Sequence, residues 1–285
     1  MSGELPMSNS VSATAYYCAG TRMLDALRAD TLLNDSFAAR FMGDDGRSIF
    51  KKFQHLAIPI GAHQVRCYLI DQAVRARLQA DPDTLVVLVG AGFDSRAFRI
   101  PGGRWIEIDE GPIIERKNAV APAASCGNPL RRIAISFHDE NLRDVLAPFA
   151  TAAPTLVICE GVTMYLEAVQ IDEFAATLAN VFPHHWLYVD LMSRSFARIF
   201  AKGMSRVLAS IGTAFSSLEP DPLHHFRSLG YSVEAEHALL PVAIAMRRVP
   251  LPAVLGPLLA MLPVVRNGYL VVMLAKVATP RTDAR

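Results

Sequence analysis

A run of apolar, mostly β-branched residues leads directly into two glycines in the first half of the chain. The stretch TLVVLVGAGFDSRAFRI spans residues 84–100, and its glycines are Gly90 and Gly92. A short apolar run that ends in a Gly-x-Gly turn is typical of the first strand of a doubly wound α/β sheet. The turn lies at the ligand-binding crevice of such a sheet, because glycine lets the backbone approach a ligand closely. The stretch therefore predicts a parallel sheet with a nucleotide-type site.

The rest of the chain supports this fold class. After residue 84, short apolar runs alternate with helix-like segments, which indicates strands wound by helices on both faces. Two late strand-like runs, GYSVEAE and NGYLVVMLAKV, lack a clear helix between them and suit an antiparallel pair at one edge. We expect a Rossmann-like doubly wound sheet over 81–285, mostly parallel with an antiparallel edge strand and a lid insertion near 193–230. Apolar residues at three- and four-residue intervals predict a helical cap over 1–80.

Composition narrows the range of partners. The 28 lysines and arginines balance 27 aspartates and glutamates without a block of like charge, so nucleic acid is not an expected partner. The four cysteines are widely spaced and form no CxxC pair, which favours a reducing cytoplasm and no metal site. The N-terminal MSGELPMSNS has neither a basic nor an apolar region and does not suggest a signal peptide.

One uncharged segment, VPLPAVLGPLLAMLPVV over 249–265, approaches the length of a membrane span. Its four prolines and one glycine would interrupt a helix and leave backbone groups unsatisfied in lipid. We therefore expect the segment to be buried or to line a cleft. An apolar surface for a homodimer or for membrane contact is the alternative.

An acidic residue at the end of the second predicted strand accompanies the glycines. Asp109 follows Gly90 by nineteen residues and is placed to accept hydrogen bonds from ribose hydroxyls. Both a nicotinamide dinucleotide and S-adenosylmethionine present such a ribose. Asp94 would repel a pyrophosphate but attract a sulfonium or ammonium group, so S-adenosylmethionine is favoured. A simple tight turn with a solvated acid at a strand end remains the structural alternative.

Three ordered motifs resemble a known family. VVLVGAGFDSRAFRIP, WIEIDEGPIIERKNAV and VICEGVTMYLEAVQIDEF are similar to motifs of the leucine carboxyl methyltransferase family of class I S-adenosylmethionine-dependent methyltransferases. The similarity is strongest to its bacterial branch, which includes polyketide carboxyl O-methyltransferases of secondary metabolism. It extends into the cap, where Arg22 and Asp35 match one motif and Arg66 and Asp71 match another. It covers residues 15 to 190.

The resemblance implies a role for each matched cation and glycine. Arg66 would pair with the carboxylate of the methionine moiety, with Arg22 as a second cation nearby, because a guanidinium fork suits a carboxylate. Gly90 and Gly92 would line the methionine and ribose. Without the resemblance, both arginines could instead form surface ion pairs with Asp71 and Asp25.

The same resemblance implies roles for the acidic and aromatic positions. Asp109 would hold the ribose hydroxyls, Glu160 would face the amino group, and Tyr165 would border the methyl-transfer cleft. This sequence departs from the family pattern at two other positions. Ser136 stands where an acid usually precedes the adenine-flanking residue, here Phe137, so Ser136 or Asp139 would take that hydrogen bond. Tyr68 replaces the second arginine of the cap motif.

The expected reaction follows from the acceptor. A carboxylate is already a nucleophile at neutral pH, whereas a phenol or alcohol needs a base. His138, His184, His185, His224 and His225 have no triad or metal spacing. We therefore expect positioning rather than base catalysis, and O-methylation of a carboxylate on a small or medium apolar metabolite. A hydroxyl acceptor, an NAD(P)-dependent oxidoreductase and a non-catalytic nucleotide-binding relative remain alternatives.

Overall fold

The computed structural model describes residues 12–216, 218–252 and 254–276. Seven strands of this part of the chain form one sheet in the order β3-β2-β1-β4-β5-β7-β6. The strands are β1 Leu85–Val89, β2 Arg104–Asp109, β3 Leu130–Ala134, β4 Thr155–Cys159, β5 His185–Met192, β6 Ser232–Ala238 and β7 Tyr269–Lys276.

Helices precede the sheet and cover its two faces. Three of them, α1 to α3, come before the first strand, in the region for which the sequence predicts a cap. The helices are α1 Ser12–Ala26, α2 Ala38–Lys51, α3 Ala57–Ala80, α4 Arg96–Arg99, α5 Gly111–Val120, α6 Leu142–Leu146, α7 Ala168–Val181, α8 Arg194–Phe200, α9 Lys202–Ser210, α10 Leu223–Ser228, α11 Leu239–Ala245, α12 Leu255–Ala260 and α13 Pro263–Arg266.

The strand directions confirm the predicted doubly wound sheet. Strands β1 to β5 are parallel, and β7 is antiparallel to both β5 and β6. The antiparallel strand therefore lies inside the sheet, and β6 forms its edge. The prediction that no helix separates the two late strands is wrong, because α11, α12 and α13 lie between them. The strand order reverses between β1 and β4, and ligands bind outside the carboxyl ends of the strands at such a point.

The two central strands are buried on both faces. Every residue of β1 and β4 is buried, which explains their continuous apolar sequences. Val86 and Leu88 face a core that includes Val65 and Ile70 of α3. Val87 and Val89 face a second core that includes residues of α7. The cap helix α3 is thus part of the main hydrophobic core.

Gly61 permits the close approach of α3 to the backbone that follows α11. A Cβ at Gly61 would lie 1.9 Å from the carbonyl oxygen of Arg248. Because this contact is with backbone, we expect a cost in the upper part of the usual range of about 1–3 kcal/mol for overpacking. That cost exceeds the gain of about 1 kcal/mol from replacing a helical glycine by alanine. Gly61→Ala is expected to lower the free energy of unfolding, measured by urea denaturation. Gly111→Ala, where nothing lies within 4 Å of the added Cβ, is the control; equal losses in both variants would contradict this explanation.

The segment 249–265 differs from the expectation of a buried or cleft-lining run. Val249 and Val265 are buried at its ends, but its middle is at the surface. Its prolines divide it into the two short helices α12 and α13 rather than one long helix. None of the described helices is both long and apolar enough to cross a membrane. The exposed apolar side chains of the segment are Val254, Leu255, Leu258, Met261 and Leu262.

Candidate functional site

A crevice of about 950 Å³ lies at the carboxyl ends of β1, β2 and β4. Its floor is the turn after β1, where Gly90 has a φ of 69° and Gly92 a φ of 47°. These are left-handed conformations that favour glycine. A side chain at Gly90 would also collide with Val162, because a Cβ there would lie 2.4 Å from Val162 Cγ2. The two glycines thus keep the turn compact beside an open crevice.

Asp109 ends β2 and is held against the glycine turn. Its Oδ2 accepts a hydrogen bond from the backbone N–H of Gly92 at 2.6 Å, and its Oδ1 accepts one from the N–H of Glu110 at 2.7 Å. Burial raises the pKa of Asp109, and the two N–H donors oppose that rise. The carboxylate lines the crevice, and its recognition of a ribose stays a prediction.

Arg66 of α3 reaches across the crevice to the ends of two strands. Its Nε donates to Glu160 Oε1 at 2.9 Å, and its Nη1 donates to Asp190 Oδ2 at 2.7 Å. Tyr269 of β7 contacts both groups, since its hydroxyl lies 2.7 Å from Arg66 Nη1 and 2.7 Å from Asp190 Oδ2. The other oxygen of Glu160 lies 2.8 Å from Arg96 Nη2. Arg66 and Arg96 therefore hold Glu160 between two guanidinium groups.

These contacts belong to a larger set of ion pairs, here called the buried network. Arg22 Nε lies 2.9 Å from Asp35 Oδ2, and Arg22 Nη2 donates to the carbonyl oxygen of Phe93. The two carboxylate oxygens of Asp71 lie 2.6 Å from Arg96 Nε and 2.7 Å from Arg99 Nη1. Arg22 and Arg66 are buried, and they pair with Asp35 and with Glu160 and Asp190 respectively. The alternative of surface ion pairs with Asp25 and Asp71 is therefore wrong. The network consists of Arg22, Arg66, Arg96, Arg99, Asp35, Asp71, Asp94, Glu160 and Asp190.

The network keeps Glu160 ionised. Burial alone would raise the pKa of this carboxyl group, but Arg96 and Arg66 hold it well below its usual value of 4.5. The five carboxylates of the network exceed its four guanidinium groups by one negative charge. Several members face the crevice, so the site has a net electrostatic preference for a cation.

The structure brings most of the predicted site residues together. Ser136 is the exception: its hydroxyl donates to Asp139 Oδ2 at 2.8 Å, and it is not among the residues that line the crevice. Phe137 and Asp139 do line it, so the alternative acid is the better placed of the two. The predicted residues that line the crevice are Arg22, Arg66, Gly90, Gly92, Asp94, Asp109, Phe137, Glu160 and Tyr165.

A second, smaller cavity of about 110 Å³ adjoins the crevice. Helices α8 and α9 of the predicted lid insertion supply part of its wall through Phe196, Phe200, Met204 and Leu208. Met164 follows β4 and contributes from the sheet side. The cavity is thus an apolar chamber beside the polar crevice. The residues that line both spaces are Thr14, Cys18, His63, Arg66, Gly161 and Tyr165.

Tyr165 stands at this boundary, and its role beside a transfer cleft stays a prediction. Its hydroxyl bonds to Thr14, and its ring lies 6.0 Å from that of Phe215 on the cavity side. Burial raises the pKa of the Tyr165 phenol, so the group is protonated at neutral pH. The neutral hydroxyl can therefore hold the boundary through its hydrogen bond with Thr14, but it does not serve as a base.

Several residues of the site were not predicted from the sequence. Arg96 lies inside the quoted glycine motif, and its position directly after Asp94 and Ser95 was the available signal. Asp190 occupies a strand, in the YVDL of β5, where a buried acid is unusual. Tyr269 and His63 carried no local signal, because their partners lie 79 and 42 residues away in the chain.

His63, Cys67 and Glu160 each place a potential metal-ligand atom within 4.8 Å of the others. Metal binding by this trio would require a deprotonated thiol. Burial raises the pKa of the Cys67 thiol well above its usual value, and both oxygens of Glu160 already contact guanidinium groups. The surrounding charges thus disfavour a metal ion, and the expectation of no metal site stays a prediction.

Comparisons with known proteins agree with the motifs. The model of the leucine carboxyl methyltransferase family matches residues 15–179, more than half of the chain. The chain belongs to this family. A candidate S-adenosyl-L-methionine-dependent methyltransferase from Parafrankia sp. is 32% identical over 188 residues, which are 61% of this chain and 60% of the relative. One from Mycobacterium sp. is 29% identical over 233 residues, or 74% of this chain and 77% of the relative. The match to the first relative thus covers less than two thirds of its length.

Solved structures share the fold at low sequence identity. A candidate methyltransferase from Thermobifida fusca superposes with a TM-score of 0.56 at 12% identity, covering 84% of this chain and 92% of that chain. A DUF574 family protein from Streptomyces avermitilis gives a TM-score of 0.54 at 10% identity, covering 91% and 96%. The chain therefore has the class I methyltransferase fold predicted from its sequence.

Proposed function

We propose that this protein is an S-adenosylmethionine-dependent O-methyltransferase whose acceptor is the carboxylate of a small or medium apolar metabolite. The observation that carries the proposal is the pairing of two spaces, a polar crevice and an apolar cavity, that share six lining residues. Methyl transfer needs a donor site and an acceptor site that meet at one boundary. The family assignment and the names of the relatives support the coarser part of this proposal, methyl transfer that depends on S-adenosylmethionine.

The crevice suits S-adenosylmethionine by its shape and charge. Gly90 and Gly92 leave the turn without side chains where a ribose would approach, and Asp109 supplies a carboxylate beside it. The cofactor has one more positive than negative charge, which matches the excess negative charge of the buried network. When bound, it supplies an electrophilic methyl group on its sulfonium. A nicotinamide dinucleotide would instead place a pyrophosphate near Asp94.

The apolar cavity supports an apolar acceptor and the exclusion of water. Phe196 and Phe200 on the lid side and Met164 on the sheet side favour an alkyl or aryl body over a charged one. Arg66 lines the same cavity, so an acceptor oxygen can lie near the boundary while its body fills the chamber. Holding donor and acceptor in line can lower the barrier by about 7–11 kcal/mol. Positioning is therefore the main catalytic contribution that we assign to these walls.

Calorimetric titration with S-adenosylmethionine, S-adenosylhomocysteine and reduced nicotinamide dinucleotide tests the donor. We expect micromolar binding of the two sulfur nucleotides and none of the third. A tritiated methyl donor with octanoic acid then tests the acceptor, with the methyl ester identified by mass spectrometry. Binding of the dinucleotide alone would overturn the proposal. Binding of the sulfur nucleotides without transfer to any apolar acid would overturn the carboxylate acceptor and leave a hydroxyl acceptor or a non-catalytic relative. Transfer to a protein band would contradict the small-acid acceptor.

Asp109→Asn is expected to weaken binding of S-adenosylhomocysteine by about 10-fold to 100-fold, since a hydrogen bond to a charged group contributes about 1.5–3 kcal/mol. Calorimetric titration measures the change. The control is Asp83→Asn, which removes the same charge from an exposed position just before β1, at the opposite end of that strand. Equal affinities of the two variants would show that Asp109 only braces the glycine turn.

A further inference from the structure

His63 lies at the boundary between the crevice and the cavity, and its role is separate from those assigned above. It belongs to α3, nearly one turn before Arg66 and Cys67, and only 4% of its surface is exposed. It lines both spaces. A histidine at the junction of donor and acceptor sites is the position from which a ring nitrogen can reach an acceptor oxygen.

The hydrogen bonds of Thr21 determine which ring nitrogen of His63 carries the proton. Thr21 Oγ1 lies 2.8 Å from the carbonyl oxygen of Cys18, which can only accept a hydrogen bond. The same hydroxyl lies 2.5 Å from His63 Nδ1. Since a hydroxyl has a single hydrogen, both contacts are hydrogen bonds only if Nδ1–H donates to Thr21. Nε2 is then the unprotonated nitrogen.

No competing donor among the described residues takes the lone pair of Nε2. Cys67 Sγ is the nearest candidate, at 3.8 Å, but it lies 3.2 Å from Glu160 Oε1 and donates its proton to that carboxylate. Burial, and then the positive charge of Arg66, lower the pKa of His63 well below its usual value, so the ring is neutral at pH 7. The other charged groups that act on it are Glu160, Arg22 and Arg96.

We propose that His63 Nε2 is the proton acceptor of the methyl-transfer site, so that the acceptor enters the cavity carrying its proton, as an undissociated carboxylic acid or as a hydroxyl. This inference rests on the proposed methyl transfer and changes the protonation state of its acceptor on entry: the carboxyl group arrives neutral and loses its proton at the site. A carboxylate in water needs no base, but the cavity wall is apolar and Arg66 is already paired with Glu160 and Asp190. Entry of an additional anion would leave its charge uncompensated, whereas a neutral acid avoids that cost.

With His63 as the proton acceptor, every bond, proton and charge in the transfer step is accounted for. The acceptor oxygen forms a bond to the methyl carbon, and the carbon–sulfur bond breaks with its electron pair remaining on sulfur. The O–H proton moves to His63 Nε2 and leaves an ester or an ether. The sulfonium charge is thereby replaced by an imidazolium charge, which loses its proton to water before the next turnover.

Nitrogen NMR of the protein labelled with ¹⁵N-histidine, in complex with S-adenosylhomocysteine, tests the premise without turnover. The expected result is a neutral His63 with its proton on Nδ1 at pH 7, and a change in the Nε2 signal on addition of octanoic acid. A proton on Nε2 would overturn the proposal, as would a signal that does not respond to an octanoic acid concentration at which calorimetry shows binding.

His63→Asn tests the catalytic role, because the asparagine amide can still donate to Thr21 while Nε2 is lost. With octanoic acid or octanol as acceptor, we expect kcat to fall by about 10²-fold to 10⁴-fold. With octanol, the decline of kcat at low pH, where wild-type His63 becomes protonated, should disappear. S-adenosylhomocysteine affinity should change little. An unchanged kcat would overturn the proposal.

His185→Asn is the matched control. His185 is also buried, its Nδ1 lies 2.6 Å from the carbonyl oxygen of Phe182, and burial lowers its pKa to about 4, but it lines neither space. Its variant should retain the wild-type kcat and pH profile. If neither octanoic acid nor octanol is methylated by the wild type, the proposed acceptor class fails, and the NMR assignment of the His63 proton still decides this inference.

Discussion

Arg66→Met is expected to lower the free energy of unfolding by about 3–5 kcal/mol, because it leaves two buried carboxylates without a shared cation. Glu160 and Asp190 lie 2.9 and 2.7 Å from the guanidinium group, and the side chain of Asp190 is fully buried. Chemical denaturation measures the loss. Arg66→Lys should recover little of it, since one ammonium group cannot reproduce the guanidinium fork that contacts both acids.

The pH dependence provides a second measurement on the same variant. The folded-state pKa of Glu160 lies below its unfolded value, so its stabilising contribution is present above pH 4.5 and is lost as pH falls through the folded pKa. Removal of Arg66 raises that folded pKa toward the unfolded value. The difference in stability between wild type and Arg66→Met should therefore be largest near neutral pH and narrow in acid.

Arg28→Met is the matched control for both measurements. Arg28 also pairs with a carboxylate, Asp30, but the two side chains are 45% and 66% exposed. Water screens such a pair, so the variant should unfold at the wild-type midpoint at every pH. If Arg66→Met behaved like Arg28→Met, the buried network would not contribute to the fold as its geometry indicates.

The sheet and its glycine turn were predictable because their causes are local. Continuous apolar runs identified β1 and β4, and the acid nineteen residues after Gly90 identified Asp109. The pairing of Arg22 with Asp35 also agrees with the motif in which both residues were recognised. In each case the residues that determine the feature lie close in sequence or within one recurrent motif.

Other features depend on which elements meet in space. Arg66 was expected to remain available for a ligand, yet it contacts Glu160, Asp190 and Tyr269 from three different strands or strand ends. His63 sits among apolar neighbours and only gains a defined role through Thr21 of another helix. The spacing of apolar residues cannot predict these contacts. It describes periodicity within a short window, whereas the contacting side chains lie far apart in the chain.

The apolar segment 249–265 was also misjudged for lack of information about tertiary packing. Its composition predicted burial, but the packing of α11 and α12 leaves Leu255 and Leu258 at the surface. Pro263 begins α13 shortly after α12 ends, and the two helices have only 4 and 6 residues, so no continuous face forms that the core could cover. The uncharged, apolar sequence therefore identified the segment without showing whether the fold buries it.

Gly90→Ala is expected to be the most damaging single change in the crevice that leaves every charge intact. Alanine in the left-handed conformation at φ 69° costs about 1–2 kcal/mol. The added Cβ would also lie 2.4 Å from Val162 Cγ2, and overpacking adds about 1–3 kcal/mol. We expect the free energy of unfolding to fall by the sum of these two terms, and binding of S-adenosylhomocysteine to weaken because the turn after β1 must move.

Two further variants separate strain from collision. Gly92→Ala imposes similar backbone strain at φ 47°, but the nearest atom to its added Cβ, in Ala15, lies 3.6 Å away. It should therefore lose only the part of the stability that comes from the left-handed backbone. In the Gly90→Ala background, Val162→Ala removes the colliding methyl and should restore the packing part, as a denaturation cycle of the two single variants and the double variant would measure. Strict additivity in that cycle would show that the turn relaxes away from Val162, and that backbone conformation alone makes glycine necessary at position 90.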